Sequence, residues 1–233
     1  MHSLSSIITT ASLLAAGCAQ SPPGFQPATA NHLTVTYGGI EVQPAGITLQ
    51  ASQAVNAPSL ALAGSNAGPF VAIMLDLSVQ TPQSAPGNTT LLHWILTGLN
   101  RSSGSALASS QKAITPYIGP GPPAGQTHTY ALFLYNESVN FAVPANYVPF
   151  FNNLTASVYN RIGFDISNFT TETNLGEPIA SDYFLVGTPA GTPTASSGAA
   201  ATPSVVTGSA VSVIKIQTMV AAIGVLSVLG SFL

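Results

Sequence analysis

Charged residues are scarce in this sequence, and their scarcity argues against whole classes of partner. Asp, Glu, Lys and Arg make up 5% of the 233 residues, against about a quarter in ordinary soluble proteins. The four basic residues stand singly, at Arg101, Lys112, Arg161 and Lys215. Because they form no basic patch that could neutralise a run of phosphates, nucleic acid is not expected as a partner.

Cysteine is almost absent. Cys18 is the single cysteine, and it falls in a segment that is expected to be removed, so the mature protein should have none. A disulfide framework, a cysteine nucleophile and a thiolate metal site are therefore excluded. Hydrophobic residues, at 46%, are plentiful enough to build a core, and the length allows one domain plus processing segments.

The N-terminus has the pattern of a signal peptide over residues 1–19. An apolar run is followed by small residues, and cleavage after Ala19 would place Gly17 and Ala19 where small side chains are required. Residues 15–18 also permit an alternative, a bacterial lipoprotein box. The C-terminal pattern argues against a bacterial source.

The C-terminus has the order of a GPI-attachment signal: small residues, a spacer and a terminal apolar run over residues 219–233. Attachment is expected at Gly208 or Ser209, with Ser197 as second choice, so residues 209–233 would be a propeptide. The alternative is a transmembrane helix, but 15 apolar residues fall short of the roughly 20 that span a bilayer.

Residues 188–208 are predicted to be a stalk, because they are rich in Ser, Thr, Pro and Ala and carry no charge. We expect O-glycosylation there. N-glycosylation motifs are also present, although chance alone predicts about three of them. The predicted N-glycosylation sites are Asn88, Asn100, Asn136, Asn153 and Asn168.

Residues 31–187 have the pattern of one mainly β domain. Short apolar runs are separated by Gly, Pro and Asn, and one run alternates while others are almost continuously apolar. A short helix over 168–174 is predicted to begin at a Ser167 cap and to end at Gly176. The predicted strands include LTVTY, FVAIMLDL, LLHWILTGL and TYALFLYN.

Three polar side chains stand inside or at the ends of these apolar strands: Asp76, His93 and His128. Each needs a partner if it is buried. One interpretation gives each its own hydrogen bond in the core, and the other brings them together in a pocket. The loop over 118–125, with three prolines and three glycines, is either a structural turn or a rigid pocket wall.

These residues carry a resemblance to a known family. The run YIGPGPPAGQTHTYALFLYNE is similar to the Gly-Pro-Pro loop and following histidine of the phosphatidylethanolamine-binding protein family. HWILTGLN and VAIMLDLSVQTP resemble two further family segments, and NHLTVTYGG and FDISNFTTETNLGEPIASDYF resemble its first strand and its closing helix and strand. The similarity runs in order through nearly all of residues 31–184.

The resemblance implies a large central antiparallel sheet, a smaller sheet, one or two short helices and a small anion pocket. Asp76 would orient a histidine and hold it partly charged, while His93 and His128 would donate to phosphate oxygens. Gly121 would offer backbone contacts and Tyr130 a hydroxyl, whereas Trp94 would pack in the core. The ligand-binding residues implied are Asp76, His93, Gly119, Gly121, Pro122, Pro123, His128 and Tyr130.

Two departures from the family pattern affect the pocket. Residues 77–80 lack the second acid and the prolines of the family's acidic segment, with Pro82 as a substitute, and the family's C-terminal helix is missing. An open, shallow site is therefore expected. Because the matching motifs contain no Lys or Arg, phosphate binding should depend on histidine protonation and strengthen on acidification.

The leading functional hypothesis is a non-enzymatic binder of phospholipid headgroups or similar small phosphate anions, on the outer plasma membrane or in the cell wall of a fungus. The first alternative is inhibition of a secreted or vacuolar peptidase, for which the loop-like, weakly charged residues 51–66 offer no recognisable motif. The second is a structural cell-wall glycoprotein with a vestigial pocket. Enzyme motifs are absent from the sequence, the resemblance favours an anion over a metal, and no cofactor is expected.

Overall fold

The computed structural model describes residues 20–154 and 157–188. The predicted signal peptide with Cys18, the GPI segment 209–233 and its candidate attachment sites lie outside these residues. So does the predicted stalk, except for Thr188. Within the described ranges, no helix has the length and apolar character to cross a membrane.

The folded part is mainly β with two short helices, which confirms the predicted fold class. The described residues contain nine strands: β1 (Thr34–Tyr37), β2 (Ile40–Glu41), β3 (Thr48–Leu49), β4 (Ser59–Ala61), β5 (Phe70–Val79), β6 (Thr89–Ser103), β7 (Ala106–Ala108), β8 (Thr127–Asn136) and β9 (Ala180–Gly187). The helices are α1 (Val148–Asn153) and α2 (Ile166–Glu172), and 3-10 turns occur at Ala51–Ala54, Ala145–Tyr147 and Val158–Arg161.

The strands join in the order β2-β1-β4-β7-β6-β5-β8-β9-β3. Strands β3 and β9 run parallel, and the other neighbours are antiparallel. The 15-residue strand β6 pairs with β5 as far as Leu99 and with β7 from Asn100 onward. The expected large and small sheets are therefore two parts of one sheet, continuous through β6.

The central strand β5 is buried on both faces, which explains its continuous apolar run. Side chains alternate across a strand. Accordingly, Phe70, Ala72 and Met74 pack in one apolar cluster with Trp94, and the intervening residues of β5 pack in a second cluster with Phe169 of α2. The two clusters hold β5, β6 and β8 rigidly in place, and these three strands carry the candidate site.

The predicted helix cap is wrong by two residues. Helix α2 begins at Ile166 because Asp165 is its N-cap, with its carboxylate accepting a hydrogen bond from the backbone N–H of Asn168 at 3.0 Å. Asp is as good an N-cap as Ser, and it comes first along the chain. The helix also ends earlier than predicted, at Glu172.

Residues 51–66, expected to be loop-like, are partly ordered secondary structure. They contain the 3-10 turn Ala51–Ala54 and strand β4. Ala54 is fully buried, and its carbonyl accepts a hydrogen bond from the Tyr117 hydroxyl at 2.7 Å. This segment therefore supports the loop that leads into the candidate site.

Candidate functional site

Three neighbouring strands bring the predicted polar residues together. On β5, Asp76 is paired with Tyr130 of β8 on one side and with Leu91 of β6 on the other. Because side chains two positions apart on a strand share a face, His128 of β8 projects on the same side as Tyr130. The strand register therefore places Asp76, His128 and Tyr130 in one recess.

A β-bulge adds His93 to this recess. Met74 of β5 pairs with Trp94 of β6, and the next residue of β5 pairs with Leu92. His93 is therefore an extra residue on β6 without a Cα partner on β5. Bulges change the direction of side chains: here His93 lines a cavity while Trp94 packs in the core, as predicted for Trp94.

Asp76 and His128 form a buried hydrogen-bonded pair. The Asp76 Oδ2 atom lies 2.7 Å from His128 Nδ1, and the two residues are 4% and 6% exposed. The other carboxylate oxygen accepts from the backbone N–H of Ser78 at 2.8 Å. Both oxygens of Asp76 are thus engaged by the protein, which is the geometry expected of a residue that orients a histidine.

His93 has a different environment. Its Nδ1 atom lies 2.8 Å from the carbonyl oxygen of Ile118, so Nδ1–H donates to that carbonyl. Burial lowers the pKa of His93 below the ordinary 6.5, although the Ile118 carbonyl and the charge of Asp76 oppose the effect. At neutral pH His93 is therefore uncharged, and its Nε2 presents a lone pair.

Tyr130 connects the pair to the glycine- and proline-rich loop. Burial raises its pKa, and so do the charge and the hydrogen bond of Asp76, while a backbone hydrogen bond from Gly121 acts in the opposite direction. The ring stacks on Phe184 at 5.5 Å and meets His93 edge-on at 5.2 Å. The hydroxyl thus lies between Asp76 and the Gly121 backbone, and its predicted contact with a ligand stays a prediction.

The loop approaches its support closely at one glycine. A Cβ on Gly119 would lie 2.9 Å from the carbonyl oxygen of Ala54, so a side chain there would push the loop away from the 3-10 turn. Gly121 and Pro123 are exposed and line the cavity. Pro122 is buried and lies outside the cavity lining, so the structure does not bring this predicted residue to the site.

The recess is a cavity of about 670 Å³. This volume is within the range of small-molecule pockets, and the predicted open, shallow form of the site stays a prediction. Two apolar side chains stand exposed at its margin, Val158 at 46% and Tyr159 at 76%. The lining residues are Asp76, Val79, Gln80, Thr81, Pro82, Gln83, Leu91, His93, Ile118, Gly119, Gly121, Pro123, Gln126, His128, Tyr130, Val158, Tyr159 and Ile162.

Sequence reasoning missed two residues near the cavity. Arg161 is 3% exposed, and its guanidinium donates to the backbone carbonyls of Leu92, His93 and Pro116. Gln126 lines the cavity and contacts His128. Arg161 stands alone outside the resembling segments, so nothing local indicates its position. Gln126 lies within the resembling run, next to the loop, but at a position to which the resemblance assigns no role.

The arrangement can bind polar groups but lacks the marks of covalent catalysis. Among the described residues, neither His93 nor His128 is hydrogen-bonded to a Ser, Thr or Cys side chain that could act as a nucleophile. Over the same part of the chain, no three His, Cys, Asp or Glu side chains come together as metal ligands.

The five predicted N-glycosylation asparagines are all exposed, so each side chain is accessible at the surface. Asn88 accepts a hydrogen bond from Gln80 of the cavity lining at 3.2 Å. Asn153 and Asn168 lie within α1 and α2. Occupancy of these sites stays a prediction.

Comparisons with known proteins agree with the order of these elements. The family model described as phosphatidylethanolamine-binding protein matches residues 27–181. Phomoidride biosynthesis cluster protein N of Talaromyces stipitatus is 36% identical over 197 residues, which are 76% of this chain and 95% of that protein. Protein TWIN SISTER of FT of Arabidopsis thaliana is 31% identical over 153 residues, 65% of this chain and 77% of that protein.

A solved structure shares the fold. Carboxypeptidase Y inhibitor, crystallised with its cognate proteinase, has a TM-score of 0.50 and 20% sequence identity. The alignment covers 69% of this chain and 85% of the inhibitor chain. At this identity the likeness concerns the fold alone.

Proposed function

The chain belongs to the phosphatidylethanolamine-binding protein family, and on that premise we propose that it is a non-enzymatic binder of small phosphate anions of the kind carried by phospholipid headgroups. The observation that carries the proposal is the convergence of His93 and the Asp76–His128 pair on one cavity beside the Gly119–Pro123 loop. A rigid loop and two fixed histidines lose little entropy when a ligand binds.

The proposed binding depends on the protonation of His93. In the neutral ring Nδ1–H is committed to Ile118, so Nε2 presents a lone pair that a phosphate oxygen without a proton cannot approach favourably. Protonation turns Nε2 into a charged donor. Because burial lowers the pKa of His93 below 6.5, affinity should rise as the pH falls through the acidic range.

The proposed location is the outer face of the plasma membrane or the cell wall, with attachment through a GPI anchor. The signal-peptide pattern, the GPI pattern and the uncharged stalk of the sequence support this proposal. The exposed position of the asparagine in all five glycosylation motifs is compatible with passage through the secretory pathway.

Calorimetric titration of the full chain with phosphorylethanolamine at pH 5 and pH 8 tests the proposal. One charge-assisted hydrogen bond contributes about 1.5–3 kcal/mol, so the form with protonated His93 should bind about tenfold or more tighter, and binding should be tighter at pH 5 than at pH 8. His93→Gln keeps a polar side chain that does not titrate and should abolish most of the difference. His32→Gln, outside the cavity lining, is the matched control.

Equal affinity at the two pH values would refute the proposed mechanism. Retention of the full pH dependence by His93→Gln would show that His93 is not the responsible group. A folded protein with no phosphate binding at either pH would leave the alternative of a structural cell-wall glycoprotein with a vestigial pocket.

A second candidate function is peptidase inhibition, which the likeness to carboxypeptidase Y inhibitor favours. The sequence offers no inhibitory motif, so the candidate depends on the shared fold. An inhibition assay of the full chain against carboxypeptidase Y would test it directly. His93→Gln should leave any inhibition unchanged if exposed loops rather than the cavity contact the enzyme.

A further inference from the structure

Gln126 contacts the histidine nitrogen that a ligand would need. Its Oε1 atom lies 3.0 Å from His128 Nε2, and its exposed side chain lines the cavity. The other ring nitrogen of His128 is bonded to Asp76 at 2.7 Å. Both ring nitrogens of His128 are thus hydrogen-bonded within the protein. A phosphate oxygen can contact Nε2 only after the Gln126 amide has moved away from it.

The amide of a glutamine suits this position in either protonation state of the ring. When the ring is charged, Nε2–H donates to Oε1, and when it is neutral the amide can turn over and donate an N–H to the Nε2 lone pair. A phosphate oxygen without a proton can only accept. The amide therefore competes most effectively with phosphate when the ring is neutral.

The backbone of Gln126 is fixed by hydrogen bonds, whereas its exposed side chain is bonded only through its amide to His128. Its N–H donates to the carbonyl of Pro123 at 3.0 Å, and its carbonyl accepts from the N–H of Thr188 at 3.1 Å. The preceding Gly125 has a φ of +78°, which lets the chain turn there, and its N–H also donates to Thr188. Displacement of the amide from His128 therefore requires only a rotamer change at the surface.

We infer that Gln126 is a displaceable cap on His128: its amide is bonded to Nε2 until an anion displaces it. The competition between amide and anion lowers the affinity of the cavity for anions. This inference rests on the proposed function, and it adds a specificity-determining residue that was not among the ligand-binding residues predicted from the family resemblance. The cap makes the site reject weak anion ligands, because each ligand must replace an existing hydrogen bond before it gains a new one.

The test compares Gln126→Ala with Gln43→Ala. Both positions are exposed glutamines, but Gln43 lies outside the cavity lining. Titration of the full-length wild type and both variants with phosphorylethanolamine and with inorganic phosphate at pH 5 should show about five- to tenfold tighter binding for Gln126→Ala. Gln43→Ala should bind as the wild type does.

The outcomes separate the cap from the proposed function. If wild type binds and Gln126→Ala binds equally or more weakly, the cap is refuted while phosphate binding stands. If no folded protein of the three binds either anion, the proposed function fails and the cap fails with it. A gain for phosphorylethanolamine but not for inorganic phosphate would support the cap and assign the ligand class to headgroups, and equal gains would support it for phosphate in general.

Discussion

Replacement of Asp182 by asparagine is expected to stabilise the protein at alkaline pH. Asp182 on β9 is 0% exposed, and among the described residues its Oδ2 atom has no hydrogen-bond partner. His32 Nδ1 is 3.9 Å away. Burial raises the pKa of Asp182 from 3.8 to about 7, the charge of Glu41 adds to the effect, and a hydrogen bond from the Tyr183 N–H opposes it. The fold therefore prefers the neutral carboxyl group.

The sign and size of the effect follow from this pKa. Because the folded pKa lies above the unfolded one, the contribution of Asp182 is fully present below pH 3.8 and is lost as the pH rises through about 7. A shift from 3.8 to about 7 corresponds to about 4 kcal/mol. Rearrangement of the surrounding groups toward the charge reduces this upper figure, so we expect about 2 kcal/mol above pH 8.

Thermal unfolding followed by circular dichroism can measure this difference. For a domain of this size, about 2 kcal/mol corresponds to about 4–8 °C in Tm. Asp182→Asn should therefore melt several degrees above the wild type at pH 8.5 and close to it at pH 3.5, below the unfolded pKa of 3.8. Glu177→Gln, which neutralises an exposed carboxylate, controls for the loss of one negative charge. A difference that is the same at both pH values, or a less stable variant at pH 8.5, would refute the reasoning.

Two further substitutions test the structure around the cavity. Arg161→Met should lower the free energy of unfolding by about 2–4 kcal/mol, because it removes a buried guanidinium that donates to the backbone carbonyls of Leu92, His93 and Pro116. Arg101→Met, at a half-buried position, should cost less in the same urea titration, and equal losses would contradict this account. Asp76→Asn should weaken phosphate binding about tenfold by removing the charged partner of His128; unchanged affinity in calorimetry would show that the pair is not part of the site.

The strands and the main site residues could be predicted from the sequence because each is marked by a strong local pattern. An apolar run interrupted by Asp76 or His128 indicates a buried strand with a polar side chain that needs a partner. The family resemblance of the Gly119–Pro123 loop then indicated which of these polar residues share a pocket. The register of β5 and β8 supplies the physical basis, since it places Asp76 opposite Tyr130.

Other features depend on pairing and packing that no local pattern records. The bulge that directs His93 into the cavity exists only in relation to β5. Arg161 enters the wall of the site because its 3-10 turn packs against β6, more than 60 positions away along the chain. Pro122 belongs to the resembling motif, but the turn of the loop buries it away from the cavity lining.

The charge balance of the cavity explains why acidification should control the proposed binding. Within the described lining, Asp76 is the single Asp or Glu, and it is bonded to His128. The lining contains no Lys or Arg, and the guanidinium of Arg161 behind the wall is committed to backbone carbonyls. Burial keeps His93 neutral at pH 7 by lowering its pKa. At neutral pH an anion therefore meets no positive charge on His93, and the added proton on His93 at lower pH supplies one.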